Sequence, residues 1–364
     1  MSYDVVVVGG GIGGLTVAAL LSARGVSTCL LERQSQVGGC IARVEFAGYD
    51  FEPGMGLYTS FGAGGVYDTL FAQLPVAIPE VSLVTSPYIL RRVDKTDVTI
   101  ATDDLYSIAG GTATLAERLA ESIKQSGGNL RLNSPVLRLA YDESGRATGV
   151  DLLSGERVFT KKAIVSNLTI WDTYGKLVGL NRTPPEIKKQ LNNFQGTGVY
   201  VIYAVMEEMA AQRLPALHMR VEDSDGWFTM AVADSSNGKR PVTFTTKTDV
   251  DSWFTYQSSE EDYDEWDQAA LEQFWKRVHA ALPELGGDIE IIETANPRTY
   301  YDQTRRKLGM VLGIEGQPIQ SHETTLPNLF IVGDTVSSTA SLDSVVESAV
   351  LLAEHISWTG LTRL

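Results

Sequence analysis

Residues 3–8 read YDVVVV, an apolar run of β-branched side chains with no polar alternation, the pattern of a parallel strand buried on both faces. Residues 15–24 then read as a helix closed by Gly25, and 27–31 as a second strand ending at Glu32. A short helix follows at 67–74, and 88–93 with 97–102 form a hairpin around Asp94, Lys95 and Thr96. Thr114 and Glu117 are spaced as a capping box opening a helix with Leu115, Leu119 and Ile123 on one face and Gly127-Gly128 at its end. Strands are expected at 129–132, 136–141, 148–152, 157–160 and 163–166, with tight turns at 142–145 and 154–155.

The middle third changes character. Residues 198–206, 217–221, 227–233 and 241–246 alternate like antiparallel strands. An acidic loop at 258–267 leads into a helix whose stripe of Leu271, Phe274, Val278 and Leu282 is core, with His279 beside it at the surface. The last third returns to a strand at 289–294, a mixed aromatic and basic stretch at 299–312, a buried strand at 329–332 and a helix from about 343 to 358. The fold class expected is α/β: a Rossmann-like domain with a discontinuous mixed-sheet α+β second domain.

Between the first strand and the first helix stands Gly9-Gly10-Gly11-Ile12-Gly13-Gly14, so Gly9, Gly11 and Gly14 satisfy G-x-G-x-x-G. Gly9 serves the tight turn, Gly11 a close approach to pyrophosphate, and Gly14 the packing of helix on strand. The helix N-terminus turns unpaired N–H groups and a positive dipole end toward phosphate. Glu32 follows Gly14 by eighteen residues, where a carboxylate accepts hydrogen bonds from an adenosine ribose. Strand, turn, helix and acid together make this a dinucleotide site.

The chain has 364 residues, enough for about two domains, and a composition ordinary for a globular enzyme. A formal charge of −15 without a basic stripe excludes nucleic acid as a partner. Cys29 and Cys40 with four scattered histidines complete no metal pattern, and Cys29 is expected to pack in the second strand. No signal-peptide pattern precedes the first strand and no apolar run reaches the length of a span, so a cytoplasmic protein is expected, with peripheral membrane contact left open.

Gly38, Gly39 and Cys40 follow the acidic residue closely, and a second glycine pair there is typical of chains that fold back over an FAD pyrophosphate and ribityl chain. Residues 51–54, FEPG, suit the segment beneath an isoalloxazine. The strand at 329–332 stops at Gly333-Asp334 before a loop and a helix N-terminus. The aspartate is placed to bond ribityl hydroxyls and the helix dipole to favour negative charge at the flavin. The expected cofactor is FAD. Only one dinucleotide fingerprint occurs, since Gly196-Thr197-Gly198 runs into a strand pattern. A reductase with separate FAD and NAD(P) domains is thereby disfavoured.

The sequence resembles the phytoene desaturase and carotenoid cis–trans isomerase group of the amine-oxidase-like flavoproteins. The likeness is carried by VVVVGGGIGGLTVAALLSARG with LLER and VGG, by IAGGTATLAERLAESIKQSGGNLRLNSPV, by AIVSNLTIWDTYGKLVG, by NPRTYYDQT and by LPNLFIVGD, in the family's order. It implies an FAD site built from Gly9, Gly11, Ile12, Gly13 and Gly14, from Glu32 and Arg33, and from Gly38, Gly39, Cys40 and Gly54. Val136 falls at the family's adenine-side valine, and Asn167, Gly333, Asp334, Leu342, Ser344 and Val345 complete the set. The FAD unit would comprise residues 1–70, 105–168 and 293–364, and the substrate unit 71–104 and 169–292.

Two departures qualify the resemblance. The long, mostly helical segment that usually roofs the family's substrate tunnel is missing, because 102–105 joins directly to YSIAGG at 106–111. That implies a shallower site, completed by another copy of the chain or a partner subunit. The family's glycine- and proline-rich loop after Gly-Asp is replaced by TVSSTASLD at 335–343. The activity implied is redox chemistry or redox-assisted isomerisation at C–C or C=C bonds of an apolar, isoprenoid-like substrate. C–N bond oxidation and flavin-free prenyl binding, as in Rab GDP-dissociation inhibitors, are the alternatives. No catalytic acid or base is assigned; Tyr58, Asp343 and Glu347 lie in flavin-facing segments without a role that spacing can give them.

Overall fold

The computed structural model describes residues 1–236, 238–255, 260–311, 313–315 and 321–358. Ser2–Val8 lies in the middle of a seven-stranded sheet, parallel to Thr28–Leu31 on one side and to Arg157–Ser166 on the other. Asn129–Arg131 extends it beyond Thr28–Leu31, and Leu329–Ile331 pairs in parallel with residues 164–166. Val136–Tyr141 and Ala147–Leu152 add an antiparallel flank. The valine run divides by parity: Val5 and Val7 face a core with Leu15, Leu115 and Leu352, while Val6 and Val8 face one with Cys29, Ile164 and Trp171. Burial on both faces is the physical content of a strand without polar alternation.

Four expectations change. The strands expected at 157–160 and 163–166 are one strand, Arg157–Ser166, with a register shift where Tyr3 meets Thr160 and Val5 meets Ala163. The polar Lys161-Lys162 step is therefore a β-bulge, with Lys162 paired to Asp4 at 3.4 Å. The capping box at Thr114 and Glu117 does not form. The helix Ala113–Gln125 starts two residues earlier, with Thr112 as its N-cap; Thr114 bonds the Ala109 carbonyl, and Glu117 reaches Arg43. A carboxylate from elsewhere, Glu52, receives the Thr112 N–H instead. Within the acidic stretch at 258–267, residues 258–259 lie outside the described residues and the rest is helical, because acidic side chains in the first turns complement the dipole of Glu260–Ala281. In that helix His279 is not a plain surface residue; it is half-buried, edge-on to Trp275. Leu312 also lies outside the described residues.

The second sheet runs Ile289–Ala295, Gly198–Glu207, Lys239–Thr248, Gly226–Val232, His218–Asp223, Tyr88–Arg91 and Asp97–Ile100. Its ladders are antiparallel except where His218–Asp223 meets Tyr88–Arg91. Gly198–Glu207 is buried on both faces. Tyr200, Ile202 and Met206 pack with Phe274 and Val278, and Val199, Val201, Tyr203 and Val205 with Phe51. Phe71 and Val76 pack into the first sheet's core, which places the chain just after residue 70 against that sheet. No helix among the described residues is long and apolar enough to cross a membrane, and no metal-holding cluster occurs among them.

Candidate functional site: a dinucleotide cleft and the aromatic face beside it

The register of the central strands builds the cleft. Val8 lies opposite Leu31 and Ser166, and Ser166 opposite Ile331, so four parallel strands end together. The residues just beyond those ends are Gly9, Glu32, Asn167 and Gly333-Asp334. Backbone bonds lock the arrangement: Gly9 N–H donates to the Leu31 carbonyl, Asn167 N–H to Val8, and Val332 N–H to Ser166. Successive strands leave Ser2–Val8 on opposite sides, which makes this the switch point where open α/β sheets bind ligands.

The glycines fit tightly. Gly9 has a φ of +101°, a conformation that a side chain would strain. A Cβ on Gly14 would stand 2.2 Å from the Gly9 carbonyl oxygen. Asn167 leans over the turn, its amide 2.6 Å from a Cβ placed on Gly11 and 2.8 Å from one on Gly13. Gly13 also faces Val332 and Val345, which brings the last helix, Leu342–Trp358, against the first, Ile12–Ala23. Ile12 and Leu342 pack on the same core, and Ser344 bonds Ser341 and Thr339 just before it.

The second glycine pair folds back against the first turn. Gly38 N–H donates to the Gly10 carbonyl at 2.8 Å, Gly38 bridges Gly11 in parallel, and Gly39 approaches the Gly11 Cα. Glu32 accepts from Gly10 N–H at 2.6 Å and Gln34 N–H at 2.7 Å, which fixes its carboxylate at the mouth. Its backbone carbonyl accepts from Ser134 N–H, and this carries the strand beginning at Val136 to the acidic side of the cleft. Arg33 donates to the backbone carbonyl of Gln303, at the end of the helix Pro297–Thr304. Burial pushes the Cys40 thiol up against the pull of Arg306.

Farther along, Gly54 takes a φ of +93° beside Glu52. The Glu52 carboxyl accepts from Tyr58 Oη at 2.7 Å and from Thr112 N–H at 3.0 Å, and Tyr58 also meets Thr112 Oγ1. Burial raises the Glu52 pKa, opposed by these hydrogen bonds and by Arg43. Asp343 accepts from Tyr67 Oη at 2.8 Å and from Thr59. Of the three groups left without a role, Tyr58 and Asp343 are thus held in polar networks, while Glu347 is exposed. Beyond Phe51 lies an aromatic face: Tyr203 is 5.1 Å from Phe51 and 5.3 Å from Phe46, centroid to centroid. Tyr203 and Tyr300 interact through their phenol groups, and burial pushes Tyr203 up to about 12. Sequence reading missed Glu52 as an anchor, this tyrosine pair and Arg306. The only signal for the pair is that Tyr203 falls on the same parity as Val199 and Val201.

A glycine turn, an anchored carboxylate and a second glycine pair at a switch point define a dinucleotide-binding protein with one such cleft among the described residues. The chain belongs to the flavin containing amine oxidoreductase family, whose model matches residues 88–357, and residues 7–74 match an NAD(P)-binding Rossmann-like domain. The family carries flavin and the cleft takes a dinucleotide, so the cofactor is FAD. The residues fit it: at Gly11 and Gly13 the backbone lies bare beneath the Asn167 amide, where any side chain would clash, with Glu32 and Asp334 following the ends of neighbouring strands. A chloroplastic prolycopene isomerase of Arabidopsis thaliana is 27% identical over 280 residues, covering 68% of this chain and 44% of that protein. A carotenoid 3,4-desaturase of Haloarcula japonica is 47% identical over 55 residues, 15% of this chain and 11% of that protein. An oxidoreductase from Methanosarcina mazei superposes with a TM-score of 0.73 at 14% identity, covering 97% of this chain and all of that one. The chain spans less than half the length of the prolycopene isomerases it matches.

Proposed function

We propose that this protein is an FAD-dependent oxidoreductase or redox-assisted isomerase acting on C–C or C=C bonds of an apolar, isoprenoid or polyene-like small molecule. Bound flavin supplies hydride transfer at N5. The chain's own residues bind, orient and keep water out. Gly11, Gly13, Gly38 and Gly39 admit the diphosphate, Glu32 holds the adenosine side, and Asp334 the ribityl chain. The cofactor unit is drawn from residues 1–70, 105–168 and 293–364 and the substrate unit from 71–104 with 169–292, although Phe71, Val76 and Trp171 pack on the first sheet.

The observation that supports the substrate class is the apolar wall of Phe46, Phe51, Val199, Val201, Tyr203 and Val205, where the second sheet packs on the segment that leads to Glu52. Such a wall recognises apolar carbon chains by burial and offers only phenol hydroxyls for polar contact. The prolycopene isomerase and carotenoid desaturase relatives support the same class. With the roofing segment absent, a second copy or a partner subunit completes the site. C–N oxidation is the second reading, favoured by the family's amine-oxidising members.

The test is an absorption spectrum of purified protein, extraction of the chromophore, then anaerobic mixing with polyenes and with amines. Flavin bands, released FAD and polyene-dependent bleaching or isomerisation are expected. Bleaching by amines alone, with peroxide on admitting air, would transfer the assignment to C–N chemistry. A colourless protein that takes up no FAD would leave only apolar-ligand binding.

A further inference from the structure

The cleft's own carboxylates, Glu32 and Asp334, repel the diphosphate of a dinucleotide, so a buried cation nearby matters to cofactor binding. Arg306 is that cation. It stands outside every glycine motif, just after Pro297–Thr304, with its side chain 16% exposed and that of its partner Asp334 19% exposed. Nη2 donates to Asp334 Oδ2 at 2.5 Å, and Nε donates to the Met310 carbonyl at 2.5 Å. Nη1 has no hydrogen-bond partner among the described residues. Arg306 interacts electrostatically with Cys40, the residue after the glycine pair that bridges Gly11, and with Asp172. The guanidinium therefore lies between the loop that covers the glycine turn and the aspartate at the end of the cleft.

We propose that Arg306 is a cofactor-binding residue. Its free Nη1 edge receives negative charge from the FAD diphosphate, while Nη2 keeps Asp334 oriented for the ribityl hydroxyls. A planar fork suits this double task, because an arginine serves two acceptors in fixed directions and stays charged when buried. The proposal rests on the FAD reading above, and the experiment separates the two.

Apoprotein of the wild type, Arg306→Met and Arg306→Lys would be titrated with FAD at low and at high salt, with thermal unfolding of each apoprotein measured alongside. Arg306→Met is expected to weaken FAD binding by roughly tenfold to a hundredfold at low salt, the scale of a charge-assisted pair. The same variant should show a shallower salt dependence than the wild type, and Arg306→Lys should recover part of the affinity by restoring the charge without the fork. Wild-type affinity in Arg306→Met would overturn the proposal. So would an equal loss at both salts that Arg306→Lys does not relieve, which marks Arg306 as only a staple for residues 305–310. A wild-type apoprotein that binds no FAD overturns the flavin reading itself, and this inference with it.

Discussion

Gly11 and Gly14 sit three residues apart in one turn, yet the structure gives them separable jobs. An alanine Cβ at Gly14 meets the Gly9 carbonyl oxygen at 2.2 Å and Asn167 Cβ at 3.0 Å. The first of these is backbone at the end of the central strand, so relief requires the helix Ile12–Ala23 to lift from the sheet. Ten of that helix's twelve residues are buried, and it contacts both neighbouring helices. Gly14→Ala should therefore cost about 3 kcal/mol, the upper part of the usual range for overpacking. For a large domain that lowers Tm by roughly 6–12 °C. A Cβ at Gly11 meets instead the Asn167 amide nitrogen, the far end of a side chain that can rotate, and Gly11 has an ordinary φ of −75°. Gly11→Ala should cost less than about 1 kcal/mol. It should nevertheless raise the FAD dissociation constant by on the order of a hundredfold, because the methyl fills the approach to the diphosphate. Differential scanning calorimetry of the apoproteins and FAD titration by fluorescence quenching read the two effects separately. A stable Gly14→Ala protein together with an unfolded Gly11→Ala one would refute the assignment. So would a Gly11→Ala variant that binds FAD as the wild type does.

Three further outcomes follow from buried charge. Burial lowers the His218 pKa to about 4, and its buried Nδ1 has no hydrogen-bond partner. The unfolded chain then takes up a proton that the folded one refuses, so stability is lost as pH falls from about 6.5 through 4, by up to about 3 kcal/mol. His218→Phe should flatten that part of the urea-unfolding profile, and an unchanged profile would count against it. Glu52 has a raised pKa, so its contribution is present below the ordinary glutamate range and fades as pH rises through the folded value. Glu52→Gln should remove that fall, and a Glu52→Gln protein with the wild-type slope would reassign it. Arg91, 8% exposed, holds Asp97 at 2.8 Å and Glu284 at 3.1 Å and so ties the edge hairpin to the end of Glu260–Ala281. Arg91→Met should cost about 1–3 kcal/mol in chemical denaturation, below the cost of breaking a fully buried pair because solvent reaches both carboxylates left behind.

How much of this was legible in the sequence depends on how far apart the partners lie along the chain. Gly9, Gly11, Gly14 and Glu32 could be read because strand, turn, helix and strand follow one another within a single βαβ unit, where spacing determines position. Gly38 and Gly39 could be read for the same reason. Glu260 to Asp267 could not. Their acidity suggested a solvated loop, but the same charges suit the first turns of a helix, and Asp267 is drawn inward by a 2.9 Å bond from Asn296. The Lys161-Lys162 step looked like a break between strands because a bulge and a break share the same polar signature. Thr114 and Glu117 matched a capping box, but Glu52, sixty residues before Thr112, had already taken the helix's free N–H.

The same logic separates the cofactor half of the site from the substrate half. Phosphate binding uses backbone N–H groups, and backbone exposure is written in glycines, which a sequence displays openly. The apolar wall uses side chains whose identity is ordinary; Val199, Val201 and Tyr203 are buried as in any core strand. Phe51 reaches Tyr203 from a segment about 150 residues earlier, and Tyr300 reaches it from almost a hundred residues later. No local rule joins those three. The charge on Arg306 is equally anonymous until Asp334 is placed beside it, and only then does a basic residue in a basic stretch become the counterion of a carboxylate at the cleft. In this chain the glycine turn is local in sequence, whereas Asp334 and the apolar cluster are brought to it from distant segments.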